Sequence, residues 1–299
     1  MKHHYIPAMY LRQWSGLDGQ LCEHKRIASK IAVHRTWPEG TGYKPDLYRI
    51  NGVPDELAQE VETQYMKMLD TRAADALKKL VRGEGNSLKS TERAAWARFL
   101  VSLIFRNPEA VQTINTHMTE MWAAANESFL NPSFVGAGAS EYAMKLLQEV
   151  IDSVRPITDI KTMGWRTISV AGAAVPLLTS DRPWVLSRPL DAPDAYVLIP
   201  ISPSVLFLAE HTNMWSRRIR SVSPSRIVEI VNQDTIRSAR TYVWGIDDRQ
   251  LPLVETWIGT NPDREIITKE QREQALNIAR GAVPDIWSQV DATASAAVP

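Results

Sequence analysis

The chain has 299 residues, 44% of them hydrophobic and 23% charged, a composition typical of a folded globular protein. Its 34 basic and 34 acidic residues give a formal net charge of +0, so a general electrostatic attraction for nucleic acid is not expected, although a local basic patch is compatible with the sequence. No apolar run approaches the ~18 residues of a membrane span, and the first residues lack a signal-peptide pattern, so no membrane partner is expected.

The first fifty residues predict short strands and turns. Residues 21–25 follow a glycine-bounded turn and alternate weakly, which predicts one arm of a β-hairpin. Prolines and glycines make residues 36–42 a predicted loop. Cys22 is the single cysteine and lies in the predicted strand, so an intrachain disulfide is excluded, and this favours a cytoplasmic protein.

Helical periodicity dominates from about residue 54 to residue 156. Residues 107 and 108 form an Asn-Pro step that ends a helix, because the residue before a proline disfavours the helical conformation. The apolar spacing predicts four helices, with a glycine-rich loop at 136–138 before the last: 54–82, 91–106, 108–129 and 140–154.

After residue 164 the pattern becomes that of a β-rich segment followed by C-terminal helices. Strands are predicted at 165–170, 175–178, 184–186, 196–200 and 205–209, helices at 223–243 and 251–258, and a frayed tail at 292–299. The whole predicts an α+β fold: a β-rich N-terminal arm, a central helical layer, a second β-rich segment and C-terminal helices. We interpret 1–299 as one domain, with a boundary near 156–164 as the alternative.

Two motifs carry a resemblance to a known family. Residues 4–14 read H-Y-I-P-A-M-Y-L-R-Q-W, and residues 179–183 read T-S-D-R-P. They resemble the H-Y-x-P-x-x-Y-L-R-x-[FW] and T-S-D-x-P motifs of a bacterial family, domain of unknown function 4238. Other positions fall in that family's order: Tyr48, Glu62, Phe105–Pro108, Ile199–Pro203, Val231–Asn232 and Ala239–Arg240. The resemblance spans about residues 3–245 and implies a shared fold without implying an activity. The chain departs from the family where Leu103 and Ile104 stand near its usual Gln.

His4 and Tyr5 are the first candidate site residues. A histidine can act as an acid, a base or a metal ligand near neutral pH, and the nearby Pro7 restricts the backbone that carries it. The alternative is that His4 and Tyr5 anchor the N-terminus by hydrogen bonds. His3 is expected to be an exposed neighbour.

Ser180 and Asp181 are the second candidates, because a carboxylate that follows a strand is held in a defined direction. Ser and Asp also bond to their own backbone in turns, and this structural role is the alternative. The G-x-S-x-G pattern of a serine hydrolase is absent.

Glu62 and Arg106 complete the candidate site. Glu62 lies deeper in its predicted helix than Glu56 and next to core-facing Val61, so its carboxylate could face a cleft. Arg106 either stabilises the end of its helix or clamps a carboxylate or phosphate.

These residue types predict a hydrolytic, nuclease-like enzyme that acts on RNA, a nucleotide or another phosphate-containing substrate. A His/carboxylate set could also hold a divalent metal ion. The sequence contains no G-x-G-x-x-G, so no dinucleotide cofactor is expected. The alternative function is a non-catalytic binding protein with a tryptophan-lined pocket.

Overall fold

A computed structural model describes residues 1–125, 132–186, 189–261 and 267–279. Over these residues the chain combines helices with antiparallel β-sheets, which confirms the predicted α+β class. None of the described helices is long and apolar enough to cross a membrane.

The N-terminal arm consists of short strands and one short helix. Its elements are β1 (Lys2–His4), α1 (Ala8–Leu11), β2 (Leu21–Ile27), β3 (Lys30–Thr36) and β4 (Tyr43–Pro45). β2 and β3 form the predicted hairpin, which continues past the expected end at residue 25. β1 pairs with β4, so that His4 lies opposite Tyr43. The first strand is therefore part of a sheet and is not a free terminus.

A glycine fixes the turn that follows β1. The Gly42 carbonyl accepts the backbone N–H groups of Tyr5 and Ile6, both at 3.0 Å. Gly42 has φ of 65°, and a Cβ at this position would lie 2.9 Å from the Ile6 carbonyl oxygen. Only glycine combines this backbone angle with so close an approach, and the result fixes the direction of the Tyr5 side chain.

The central layer is helical, as predicted, but its boundaries differ. Its elements are α2 (Asp55–Ala58), a π-helical turn (Val61–Met66), α3 (Lys67–Val81), α4 (Ser90–Phe105), α5 (Pro108–Ala125), α6 (Pro132–Ile151) and α7 (Val154–Thr162). The helix predicted over 54–82 is thus divided into three, because the π-helical turn interrupts it. The loop predicted at 136–138 is wrong, since these glycines lie within α6. A Cβ on Gly138 would lie 2.6 Å from the Trp122 ring, so this glycine permits close packing of α5 and α6.

The remaining elements form the second β-rich part and the C-terminal helices. They are β5 (Gly164–Ser169), β6 (Thr179–Ser180), β7 (Val185–Leu186), β8 (Tyr196–Ser202), β9 (Val205–Glu210), α8 (Met214–Arg220), α9 (Pro224–Ser238), β10 (Tyr242–Gly245), α10 (Leu251–Trp257) and α11 (Lys269–Ala279). The strand predicted at 175–178 is absent, and residues 179–180 form β6 instead. The tail at 292–299 lies outside the described residues.

The helix predicted over 223–243 is wrong at its C-terminal end. α9 ends at Ser238, and Tyr242–Gly245 forms strand β10. A short apolar run such as Tyr242-Val243-Trp244 does not distinguish a strand from a buried helical turn by periodicity alone. Here the run supplies the strand that lies between β2 and β6 in a sheet of order β3-β2-β10-β6.

This sheet brings distant segments to one place. Ser180 of β6 lies opposite Val243 of β10, and Cys22 of β2 lies opposite Gly245. One hydrophobic core continues from the N-terminal arm through the helices into the second sheet, of order β5-β9-β8-β7. α7 covers most of the alternative boundary near 156–164 and packs against α4. The continuous core supports the single domain, which stays a prediction.

Candidate functional site

His3 is an anchor of the N-terminus. Its side chain is fully buried, its Nδ1 accepts the Tyr48 backbone N–H at 2.8 Å, and its Nε2 lies 2.5 Å from the Gln59 side-chain oxygen. These partners require a neutral ring with its proton on Nε2, and burial lowers the pKa of His3. The expectation of an exposed His3 is therefore wrong. The pairing of β1 with β4 turns this side chain inward.

His4 is held by its backbone, and its ring is left without a partner on one nitrogen. The His4 N–H donates to Glu62 Oε1 at 3.3 Å, and the His4 carbonyl accepts Arg106 Nη2 at 2.7 Å. The ring lies 5.7 Å from the Tyr43 ring, and its Nε2 is buried without a hydrogen-bond partner. Burial lowers the pKa of His4 and thereby favours the neutral imidazole.

Glu62 lies in the π-helical turn and has one unpartnered oxygen. Its Oε1 accepts the His4 N–H, whereas its Oε2 is buried without a partner. Burial raises the pKa of Glu62 from 4.5 to about 7, against the opposing charge of Arg106. Such a turn changes which side chains of a helix face its neighbours, and π-helical turns occur frequently at functional sites. Glu62 is thus a carboxyl group that exchanges a proton near neutral pH.

Arg106 is a fully buried cation that is already paired. Its Nη1 and Nη2 donate to the two Asp70 carboxylate oxygens at 2.7 and 3.2 Å. Its carbonyl accepts the Tyr48 hydroxyl at 2.7 Å. A guanidinium held in this way is not free to clamp a substrate phosphate. It instead provides a fixed positive charge beside His4 and Glu62. We call His4, Tyr48, Glu62, Asp70 and Arg106 the N-terminal network.

Asp181 holds the loop that leads into β10. One Asp181 oxygen accepts the Arg240 N–H at 2.8 Å, and the other accepts those of Thr241 and Tyr242 at 2.6 and 3.0 Å. Burial raises the pKa of Asp181 to about 6, against these three hydrogen bonds. Ser180 is buried, and its Oγ accepts the Arg182 N–H at 3.2 Å. Both contacts are those of a structural turn, the alternative for this motif.

A cavity of about 240 Å³ lies next to the N-terminal network. It is lined by Tyr5, Tyr43, Lys44, Asn107, Pro108, Glu109, Asp181, Thr241 and Tyr242. Three tyrosines contribute to the wall of this cavity, and no tryptophan does, in contrast to the pocket expected for a binding protein. We call it the tyrosine cavity. Burial, and then the charge of Asp181, raise the pKa of Tyr5 well above its usual value, so its hydroxyl stays protonated.

The six candidate residues are thus divided between two adjoining places. Tyr5 and Asp181 line the tyrosine cavity, whereas His4, Glu62 and Arg106 belong to the network, and Ser180 lies in β6. Tyr43 connects the two places, since its ring lines the cavity and lies against the His4 ring.

Sequence reasoning missed Asp70 and Tyr242. Asp70 is an acidic residue beside the buried Leu69 of α3, and such an apolar context could have suggested a buried ion pair. Tyr242 lies in a short apolar run in which Val243 and Trp244 are also apolar, so no alternation marked this run as a strand. Within the described ranges, no three His, Cys, Asp or Glu side chains are grouped as metal ligands would be, so the proposed divalent ion has no ligand set there.

Comparison with known proteins identifies a family and no activity. Residues 2–249 match the model of a family described as "Protein of unknown function (DUF4238)". No curated protein and no solved structure matches the chain. The matched region contains the N-terminal network, the tyrosine cavity and the T-S-D-R-P segment, and it ends before α10. The chain therefore belongs to the DUF4238 family of proteins of unknown function, as its opening and T-S-D-R-P motifs predicted.

Proposed function

We propose that the protein is a cytoplasmic, nuclease-like hydrolase that acts on a phosphate-containing substrate without a dinucleotide cofactor. One observation carries this proposal: the His4 backbone N–H donates to Glu62 Oε1 at 3.3 Å, and the His4 ring and the Glu62 carboxyl group each have a buried protonable atom without a partner. Unpaired buried polar atoms are costly to a fold. Their presence in one network supports a role in chemistry.

The protonation states of the two groups suit proton transfer in opposite directions. With a pKa of about 7, Glu62 is protonated in a large fraction of molecules at neutral pH and can give up a proton. Burial lowers the pKa of His4 and favours the neutral imidazole, which can accept one. General acid–base catalysis by positioned side chains contributes about 10²–10⁴-fold to a rate.

The proposed step is hydrolysis of a phosphate ester. A water molecule transfers a proton to His4 Nε2 while its oxygen forms a bond to phosphorus. The bond from phosphorus to the leaving oxygen breaks, and Glu62 protonates that oxygen to give an alcohol. His4 then releases its proton and Glu62 takes one from solvent, so both groups return to their first state. Arg106 is a positioning residue in this scheme, because its guanidinium donates a hydrogen bond to the His4 carbonyl oxygen.

A non-catalytic binding protein is the second candidate, and a separate observation favours it. Arg106 and Asp181 are already engaged, by Asp70 and by backbone N–H groups. A protein that uses these residues only to build the wall of a cavity needs no reactive group.

Hydrolysis assays on matched variants test the proposal. The assays use bis(p-nitrophenyl) phosphate, a short RNA and nucleotides, with wild type, Glu62→Gln and His4→Gln. Glu60→Gln and His211→Gln, at exposed positions, are the controls. We expect each site variant to lose about 100-fold or more in kcat while the controls keep wild-type rates. Absence of hydrolysis by wild type, or full activity of Glu62→Gln, would contradict the proposal.

A further inference from the structure

We propose that the tyrosine cavity binds a nucleoside phosphate, with the base against the tyrosine rings and the phosphate at Lys44. This inference names a substrate class and rests on the proposed function only for its catalytic consequence, because binding does not require hydrolysis. It is supported by the tyrosine rings, by Lys44 and by the position of the cavity beside His4.

Three aromatic side chains contribute to the wall of the cavity. Tyr5, Tyr43 and Tyr242 all line the cavity. Tyr242 is stacked on Trp244 with an interplanar angle of 4° and ring centroids 5.4 Å apart, so its orientation is fixed by a fully buried neighbour. Stacking of one base on an aromatic side chain contributes about 1–3 kcal/mol and requires no particular base.

One lysine lines the cavity, and two more lie against its tyrosine rings. Lys44 lines it, Lys2 Nζ lies 4.5 Å from the Tyr43 ring centroid, and Lys25 Nζ lies 5.4 Å from that of Tyr242. In the part of the chain that the structure describes, none of these lysines forms an ion pair with a carboxylate.

The carboxylates of the cavity, in contrast, have partners. Asp181 accepts three backbone N–H groups, and Glu109 Oε2 lies 3.5 Å from Arg182 Nη2. A phosphate at the rim would therefore meet Lys44, and phosphate is an anion that lysines bind in many proteins.

The size of the cavity selects a small ligand. Its volume of about 240 Å³ is below the ~300–1,000 Å³ of typical drug-sized pockets. A single base with its sugar suits this space, with the phosphate outside it at the rim. A dinucleotide would need a longer groove.

The cavity adjoins the strand that carries His4 through Tyr43, whereas Lys44 shares its face of the ladder with His3. In the β1–β4 ladder, Lys44 is opposite His3 and Tyr43 is opposite His4. A phosphate at Lys44 would thus lie close to the strand that carries the His4 imidazole. A free mononucleotide and the terminal nucleotide of an RNA share this chemistry, and the experiment distinguishes them.

Isothermal titration calorimetry on the full chain is the test. The probes are nucleoside 5′-monophosphates, the unphosphorylated nucleosides, inorganic phosphate, and a short RNA with a terminal phosphate. We expect the monophosphates to bind about tenfold or more tightly than nucleoside or phosphate alone, because both parts of the site are then used. If the RNA binds more tightly than the monophosphates, the ligand is the end of an RNA chain. If it binds equally or more weakly, the ligand is a free nucleotide.

Variants locate the binding. Lys44→Gln should weaken monophosphate binding about tenfold and leave nucleoside binding unchanged, whereas Tyr43→Leu should weaken both. Lys30→Gln and Tyr142→Leu, at exposed positions outside the cavity, are the controls. Lys44 is exposed, so its substitution leaves the fold intact. No binding of any monophosphate to folded wild type, or binding that neither cavity variant weakens, would overturn the inference.

The two proposals fail in different ways. The binding titrations do not depend on hydrolysis, since Lys44 and Tyr43 line the cavity and neither is an acid or base of the proposed step. Binding without hydrolysis would contradict the proposed function and leave this inference standing. Hydrolysis that is insensitive to Lys44→Gln and Tyr43→Leu, without nucleotide binding, would overturn this inference alone.

Discussion

The Arg106 guanidinium donates a hydrogen bond to the His4 carbonyl oxygen at 2.7 Å and joins residues 102 positions apart. The same guanidinium holds Asp70 with two hydrogen bonds, so one buried cation connects β1, α3 and the end of α4. The first strand is thereby fixed to the helical layer. A histidine near a chain terminus gains a defined position in this way.

Substitution of Arg106 by Met should destabilise the protein strongly, because Asp70 loses its only ion-pair partner among the described residues. Removal of one partner of a buried pair costs about 3–5 kcal/mol, and the 20% exposure of the Asp70 side chain places the loss near the lower value. Urea denaturation measures the free energy of unfolding. Arg155→Met, which removes an exposed pair with Asp191, should cost at most ~1 kcal/mol. Equal losses in the two variants would contradict the buried role of Arg106.

The two N-terminal histidines should respond differently to replacement by alanine. His3→Ala leaves the buried Tyr48 N–H without an acceptor, at a cost of about 1–3 kcal/mol. His4→Ala should cost less than ~1 kcal/mol, since the network uses the backbone of His4 and its ring Nε2 has no partner. Thermal and urea unfolding of both variants check the order. A larger loss in His4→Ala would show that the His4 ring is the anchor.

Asp181→Ala should destabilise the turn before β10. Three backbone N–H groups lose their acceptor, and even one unsatisfied buried donor costs about 1–3 kcal/mol. Amide hydrogen exchange should become faster at residues 240–242, and urea denaturation gives the change in unfolding free energy. Asp248→Ala, at an exposed position of the following turn, should change stability by at most ~0.5 kcal/mol. Unchanged exchange at 240–242 would assign Asp181 a role other than this turn.

The raised pKa of Glu62 predicts a pH dependence of stability. Because the folded pKa of about 7 lies above the ordinary 4.5, the folded state binds more protons between these values. The stability from protonated Glu62 is therefore full below pH 4.5 and is lost as the pH rises to 7. Glu62→Gln has no group that ionises at this position. Its free energy of unfolding should therefore rise relative to that of wild type over this pH range, by at most ~3 kcal/mol and by less after solvent screening. Parallel pH–stability curves for the two proteins would contradict the prediction.

The fold class was predictable because long helices and alternating strands have distinct periods. β10 was not, since Tyr242–Gly245 is too short for periodicity to separate it from the end of α9. His3 was misjudged for a similar reason: a three-residue strand does not establish which side chain points inward until its partner β4 is known.

The candidate site was predictable only by residue type. His4, Glu62 and Arg106 could be named from motifs and helix positions, but the pairing of Arg106 with Asp70 depends on how α3 packs against α4. Leu103 and Ile104, at the place of the family's usual Gln, are buried in the hydrophobic core. That position therefore supplies no polar group to the network of this chain.

The most direct test of the account is the titration of the Glu62 carboxyl group by carbon-13 NMR. Glutamate labelled at its carboxyl carbon is incorporated, and the Glu62 resonance is assigned as the one missing from Glu62→Gln. The account predicts a midpoint near the pKa of about 7 that burial imposes. A midpoint near ~4.3, the pKa of an exposed glutamate, would contradict the central claim that Glu62 exchanges its proton near neutral pH.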